Sequence, residues 1–236
     1  GLHTPVRAIR RRVFKEVAQL GFKADADTLL ADMEAIPYAI VNEDSEKYRE
    51  SVYRARAIVR ERLRLAMGLS LRPENKPVHL TAGVEASNIS EKYYEPPLMQ
   101  VIPSACESCE ENKYEVSNIC KGCLAHPCQE VCPKDAISMV NGRSYIDQEK
   151  CIKCGKCKSV CPYDAIAKKE RPCQKACGVN AIKSDKMGRA YIDNEKCVSC
   201  GMCMVSCPFG AISDKSQIFQ LARALSEGEN VIAEIA

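Results

Sequence analysis

The sequence predicts an α+β chain in which a helical N-terminal region precedes two interlocked, cysteine-rich units. Three observations predict it. All sixteen cysteines of the 236-residue chain lie between Cys106 and Cys207. The spacing C-x-x-C-x-x-C-x-x-x-C-P occurs twice, as CIKCGKCKSVCP from Cys151 to Pro162 and CVSCGMCMVSCP from Cys197 to Pro208. The stretch CPKDAISMVNGRSYIDQEKCIKCGKCKSVCPYDAI from Cys132 is echoed by CGVNAIKSDKMGRAYIDNEKCVSCGMCMVSCPFGAI from Cys177, and HPCQEVC and RPCQKAC lead into the two copies.

Residues 1–70 read as helical. Thr4-Pro5 resembles an N-cap followed by proline at the first helical position; Val6, Ile9, Val13, Val17 and Leu20 recur at helical spacing, with Gly21 where a C-terminal cap belongs. A second helix is expected over Thr28–Ile36, stopping before Pro37, and a third from Ser45 to Met67 with Gly68 after it. On the third, Arg54, Arg56, Arg60, Arg62 and Arg64 read as a solvated or salt-bridged face, with a partner-binding stripe as the weaker alternative. Residues 71–105, with prolines at 73, 77, 96, 97 and 103, form an extended connector with two short strands, Val78–Thr81 and Met99–Ile102. Residues 106–213 form the cysteine domain. In 214–236, Ser216–Leu225 reads as an amphipathic helix ended by Gly228, and Val231–Ile235 as the start of a strand. That unpartnered strand suggests either a chain continuing into a missing domain or a partner chain that completes the sheet, as Gly1 in place of Met suggests a processed start.

Basic and acidic residues nearly balance, 34 against 31, so neither a nucleic-acid nor a membrane-surface partner is expected. No apolar run spans a bilayer and none reads as a signal peptide, so the expected location is cytoplasmic. A disulfide framework suits small secreted domains and fits this context poorly. Zinc is an alternative only where paired C-x-x-C motifs stand alone, at Cys106, Cys109, Cys120 and Cys123.

The twice-repeated spacing is the bacterial ferredoxin signature for [4Fe–4S] clusters, in which the fourth cysteine of each motif ligates the other cluster. Crossing over in this way, Cys120, Cys123, Cys128 and Cys161 hold a first cluster, and Cys151, Cys154, Cys157 and Cys132 a second. The second unit supplies only Cys173 and Cys177 from its first motif. The unassigned pair closes it: Cys106, Cys109, Cys173 and Cys207 hold a third cluster, and Cys197, Cys200, Cys203 and Cys177 a fourth. Residues 120–167 are then an insertion between 106–109 and 173–212. A separate zinc or interface role for Cys106 and Cys109 stays open. His79 and His126 are the histidines near this region, but the cysteines already fill four cubanes with iron. Ile137, Ile166, Ile182 and Ile212 are expected to wall the clusters, and Ile152, Gly155, Val198, Gly201 and Val205 to bring backbone N–H groups to sulfur and keep water out. Glu107, Glu110, Glu111 and Glu115 gather beside the first pair. Lys153, Lys156, Lys158, Lys168, Lys169 and Arg171 surround the middle motif, a basic side suited to an acidic carrier such as a soluble ferredoxin.

The CxxCxxxxCxxxCP and CxxCxxCxxxCP pair resembles the iron–sulfur subunits of the dimethyl-sulfoxide-reductase type. The whole chain, through TPVRAIRRRVFKEVA, YRESVYRARAIVRERLRLAMGL, the cysteine region and FQLARALSEGENVIAEIA, is similar to the N-terminal part of a monomeric clostridial-type [FeFe]-hydrogenase. That resemblance implies single-electron relay to the H-cluster of a catalytic domain, with the cluster held partly by Cys207 nearest to it. The TSCCP, MPC and ExMxCxxGC signatures that bind an H-cluster are missing, so no catalytic residue is expected in this chain. The alternative is a non-catalytic electron-wiring subunit of another oxidoreductase.

Overall fold

Ile9, Val13, Val17 and Leu20 recur every three to four residues, so a helix gathers them on one face. In the computed structural model, which describes residues 4–23, 27–42, 48–88, 95–232 and 234, they form the buried face of α1 (Pro5–Lys23). α2 (Leu29–Ile40), α3 (Val52–Ala66) and a single turn, α4 (Val84–Ser87), follow. The cysteine region is built from short pieces: β1 (Met99–Val101), β2 (Lys113–Val116), α5 (Pro127–Glu130), β3 (Ile137–Val140), β4 (Arg143–Ile146), α6 (Lys156–Ser159), β5 (Ile166–Lys169), α7 (Pro172–Lys175), β6 (Ile182–Ser184), β7 (Ala190–Ile192), α8 (Met202–Ser206) and β8 (Ile212–Asp214). α9 (Ile218–Ser226) returns to the N-terminal helices.

α1, α2, α3 and α9 share one core in which Val17, Met33, Val59, Leu63, Met67 and Phe219 are fully buried. Gly21 is not a cap: α1 continues to Lys23. A Cβ there would come within 2.7 Å of the Phe219 carbonyl and 2.8 Å of Ala222 Cβ, so Gly21 is where α9 crosses closest. α2 likewise runs through Pro37 to Ile40. An interior proline costs about 3 kcal/mol, whereas burying each large apolar side chain returns about 1.5–3 kcal/mol. Keeping Met33, Ile36 and Ile40 on one buried face therefore outweighs it.

α3 starts at Val52, where Ser51 Oγ accepts the N–H of Arg54, later than the expected Ser45; residues 43–47 lie outside the described residues. Two of its arginines form the expected salt bridges, Arg54 with Glu50 and Glu107 and Arg60 with Glu34, while the others make neither a solvated face nor a docking stripe. Arg56 stacks 4.5 Å from the Tyr38 ring and Arg60 bonds the Tyr38 hydroxyl. Arg62 and Arg64 are buried, and Arg64 binds the carbonyls of Ser70, Leu80 and Ala82. Val78–Thr81 is not the expected strand: Val78 and His79 are irregular, and Leu80 and Thr81 lie in a turn that Arg64 anchors at Leu80 and Ala82. At the other end Val231, Ile232 and Glu234 carry no strand, and residues 233, 235 and 236 lie outside the described residues.

The strands pair antiparallel in four two-stranded ladders: β1 with β8, β2 with β5, β3 with β4, and β6 with β7. The pairings nest. The β2–β5 ladder, with Val116 opposite Ile166, encloses the β3–β4 hairpin. The β1–β8 ladder, with Val101 opposite Ile212, encloses all the others. α3 joins the two halves of the molecule, burying Ile58 and Leu65 against Ile102, Ala105 and Ala211 beside Cys207. Among the described residues no helix is long and apolar enough to cross a membrane.

Candidate iron–sulfur centres

The last cysteine of each motif opens a turn built the same way four times. Three residues on, Asp135, Asp164, Asn180 and Gly210 take positive φ values of 47°, 48°, 52° and 59°. This turns the next N–H back, so Ala136, Ala165, Ala181 and Ala211 donate to the Sγ of Cys132, Cys161, Cys177 and Cys207 at 3.3, 3.4, 3.2 and 3.3 Å. Left-handed backbone is uncommon outside glycine and is tolerated best by Asn and Asp, which accounts for the residue types. The second residue between the cysteines of the leading C-x-x-C pair of each motif is left-handed too: Ser108, Gly122, Lys153 and Ser199. Cys106–Cys109 therefore shares the loop conformation of the three pairs inside the repeat.

Two small cavities of about 20 Å³ each lie among these loops. Cys132, Cys151, Cys154 and Cys157 border one, with Tyr114, Ile137 and Ile146. Cys120, Cys123, Cys128 and Cys161 border the other, with Val116, Ser144 and Ile166. On the other side of the region, Cys173, Cys177, Cys197 and Cys203 pack with Ile182, Ile192 and Ile212, and Cys106 joins them. Ile137, Ile166, Ile182 and Ile212 are all buried, in the expected wall positions. Val198 and Val205 are 65% and 75% exposed; Ile152, 56% exposed, still borders the Cys132 cavity together with Gly155. His126 precedes α5 and is not among the residues bordering the Cys128 cavity, while His79 lines a separate cleft with Glu61 and Arg72.

The electrostatics group the sulfurs as well. Burial, then Cys207, pushes the Cys173 thiol up to about 12, with Arg171 opposing the rise. Burial, then Cys207 and Cys106, raises Cys109. Cys157 is raised by burial with Cys151 and Cys154 close by, and Cys203 by burial with Cys197 and Cys177 close by. Ionising thiols that stand this near one another requires positive charge among them, which iron held by these cysteines would supply. Among the described residues no three Cys, His, Asp or Glu side chains close to the spacing of a single-ion site. A cubane asks for a wider spread, because its four thiolates sit on four different irons. The all-thiolate donor sets and the N–H groups aimed at sulfur fit that group.

Several contributors carry no cysteine signature. The Ser144 backbone N–H and hydroxyl hold the Cys120 thiol below its usual range, and the same hydroxyl lies 3.3 Å from Cys128 Sγ. Ala190, at the matching place in the second G-R-x-Y-I-D segment, donates its N–H to Cys106 Sγ at 3.3 Å. The charged residues near the cysteines are also mostly engaged. Glu107 pairs with Arg49 and Arg54, Lys113 with Glu110 and Glu115, and Lys168 with Glu170. Arg171 is buried, so it belongs to the interior and not to a basic surface.

Residues 120–171 match the LdpA Fe-S cluster-binding domain and residues 190–213 the 4Fe-4S binding domain. Among curated proteins, Ferredoxin 7Fe of Hydrogenibacillus schlegelii is 43% identical over 53 residues, 22% of this chain and 68% of that protein. The chain belongs to the ferredoxin family. An uncharacterized ferredoxin of Methanocaldococcus jannaschii is 33% identical over 99 residues, 34% of this chain and 63% of its own. Electron transport protein HydN of Escherichia coli is 37% identical over 71 residues, 30% of this chain and 41% of its own. The chain thus spans under two thirds of these last two relatives. The matched segments place this ferredoxin among [4Fe–4S] proteins, and nothing in these matches is specific to hydrogenases.

Proposed function

We propose that the chain is an electron relay carrying four [4Fe–4S] clusters in two interlocked two-cluster units. The ligand sets are Cys120, Cys123, Cys128 and Cys161; Cys151, Cys154, Cys157 and Cys132; Cys106, Cys109, Cys173 and Cys207; and Cys197, Cys200, Cys203 and Cys177. One observation carries this reading: four cysteine-plus-alanine turns of one geometry, each aiming an N–H at sulfur. The nested ladders support the insertion of one unit within the other, since β2 and β5 bring its two ends side by side.

With every thiolate spent on iron, no coordination position stays open for substrate, so the clusters pass electrons and do no Lewis-acid chemistry. Potentials follow from hydrogen bonds to sulfur, local charge and water access. Single electrons pass between an external carrier of soluble-ferredoxin type and a catalytic centre outside this chain, in a compartment that keeps thiols reduced, the cytoplasm. By resemblance that centre is the H-cluster of an [FeFe]-hydrogenase, which interconverts two protons plus two electrons with hydrogen. The second reading, an electron-wiring subunit of another oxidoreductase, draws on the similarity to HydN.

Iron and acid-labile sulfide analysis, with EPR after dithionite reduction, tests the relay. About sixteen irons per chain and mutually coupled reduced cubanes are expected; zinc, or about eight irons, overturns the ligand sets. Co-purification with a hydrogen-evolving activity separates the two readings of the partner.

A further inference from the structure

The four sites are not electrostatically alike. Arg62 and Arg171 are 3% and 2% exposed, and both end on the loops of Cys106, Cys109, Cys173 and Cys207. Arg171 donates Nε and Nη2 to the Cys109 carbonyl at 3.1 and 2.8 Å, and Nη2 to the Gly188 carbonyl at 2.8 Å. The nearest carboxylate, Glu111, is 4.0 Å away and half exposed. Arg62 donates to the Gly210 carbonyl, in the turn whose Ala211 N–H meets Cys207 Sγ. Its Nε and Nη1 are buried with no hydrogen-bond partner, and it enters no ion pair among the described residues. Arg49 adds bonds to the carbonyls of Ala105 and Phe209, but Glu107 balances that charge.

A buried, unbalanced guanidinium is costly unless a counter-charge is brought to it. Asp214, which lines a small pocket with Arg62, is paired to Arg10, and the Tyr48 hydroxyl beside Arg62 is neutral, so neither balances its charge. A cubane with four thiolates does, because it is anionic in both oxidation states and one unit more so when reduced. The other sites lack the arrangement. In the repeat, His126 stands where Arg171 does, and Asp135, Asp164 and Asn180 stand where Gly210 leaves room for Arg62. The lysines around Cys151–Cys157 are exposed, where water and salt screen them.

We propose that Arg62 and Arg171 are the fixed counter-charges of the cluster held by Cys106, Cys109, Cys173 and Cys207, and make it the first of the four to accept an electron. This rests on the four-cluster reading above. The step is a one-electron transfer: the carrier is oxidised by one, the cluster is reduced by one, and no bond or proton need change. The cluster nearest the N-terminal helices is then the well into which electrons settle.

An anaerobic potentiometric titration of the full chain, followed by EPR, tests this. Cys109→Ser marks the cluster by altering its signal, and Cys106→Ser is the fallback mark. The marked signal is expected to appear first as the potential is lowered. Arg62→Gln is expected to disfavour its reduction about tenfold, a shift of about 59 mV for one electron, leaving the other three in place, while Arg62→Lys keeps most of the wild-type value. Arg171→Gln reads the same effect from the opposite side of the loops should Arg62→Gln bind less iron. A marked signal that is not first, or variants that move all four potentials equally or none, overturns the proposal. About sixteen irons with no selective shift sinks this inference alone; about eight irons sinks the four-cluster reading itself.

Discussion

Ala190 donates its backbone N–H to Cys106 Sγ at 3.3 Å, although 84 residues separate them. The Ser144 N–H serves Cys120 in the same way. On the proposed two-unit arrangement, Cys106 takes the place that Cys120 holds in the inserted unit. Cys106→Ala is therefore expected to cost one whole cluster and no more, lowering iron from about sixteen to about twelve per chain. Iron analysis of the purified variant checks it; a full complement would remove Cys106 from the ligand set.

Gly210 answers a steric demand that the other three turns do not make. It combines a φ of +59° with neighbours that a Cβ would meet at 2.5 Å (Val6 Cγ1) and 2.8 Å (Arg62 Nη2). Gly210→Ala is expected to destabilise the fold by about 1–3 kcal/mol through backbone strain and overpacking. Asp135→Gly, at the matching turn, adds freedom to the unfolded chain but relieves left-handed strain in the folded one, so a change within about 1 kcal/mol is expected. Chemical denaturation of both variants compares the two, and equal losses would refute a packing role for Gly210.

The cysteine chemistry was legible because thiolate spacing is local: a C-x-x-C loop and a C-x-x-[D/N/G]-A turn are set by their own few residues. The pairing of Met99–Val101 with Ile212–Asp214 was not, since a three-residue strand takes its identity from a partner more than a hundred positions away. Pro37 misled because a local rule met a tertiary one, and burial of Met33, Ile36 and Ile40 won. The roles of Arg62 and Arg171 were hidden in runs of basic residues whose members look alike in sequence. Only packing separates the buried ones from Lys153 and Lys156.

At Gly21 two effects oppose each other. In a helix alanine is favoured over glycine by about 1 kcal/mol. Here a Cβ would press on the Phe219 backbone carbonyl, which moves only if α9 moves. Overpacking costs about 1–3 kcal/mol, so Gly21→Ala is expected to lose about 1 kcal/mol net, with iron content unchanged because the contact lies away from the cysteines. A thermal melt showing stabilisation would mean that α9 shifts freely on α1.

Cys154 and Cys200 are the two exposed cysteines, and so the shortest ways out for an electron. Their surroundings differ. Lys153, Lys156 and Lys158 flank Cys154 and enter no ion pair among the described residues, whereas Ser199, Gly201 and Met202 flank Cys200. The proposed carrier, if acidic, would be steered to the Cys154 side, an effect that reaches about 10 Å at 0.1 M salt. Reversing both charges, Lys153→Glu with Lys156→Glu, is expected to slow reduction by an acidic ferredoxin about tenfold or more at low ionic strength. The gap should close as salt rises, because screening removes the attraction from the wild type and the repulsion from the variant alike. Stopped-flow reduction across a salt series reads both. Rates and salt slopes matching the wild type would place the entry point elsewhere, with the uncharged Cys200 side as the remaining exposed candidate.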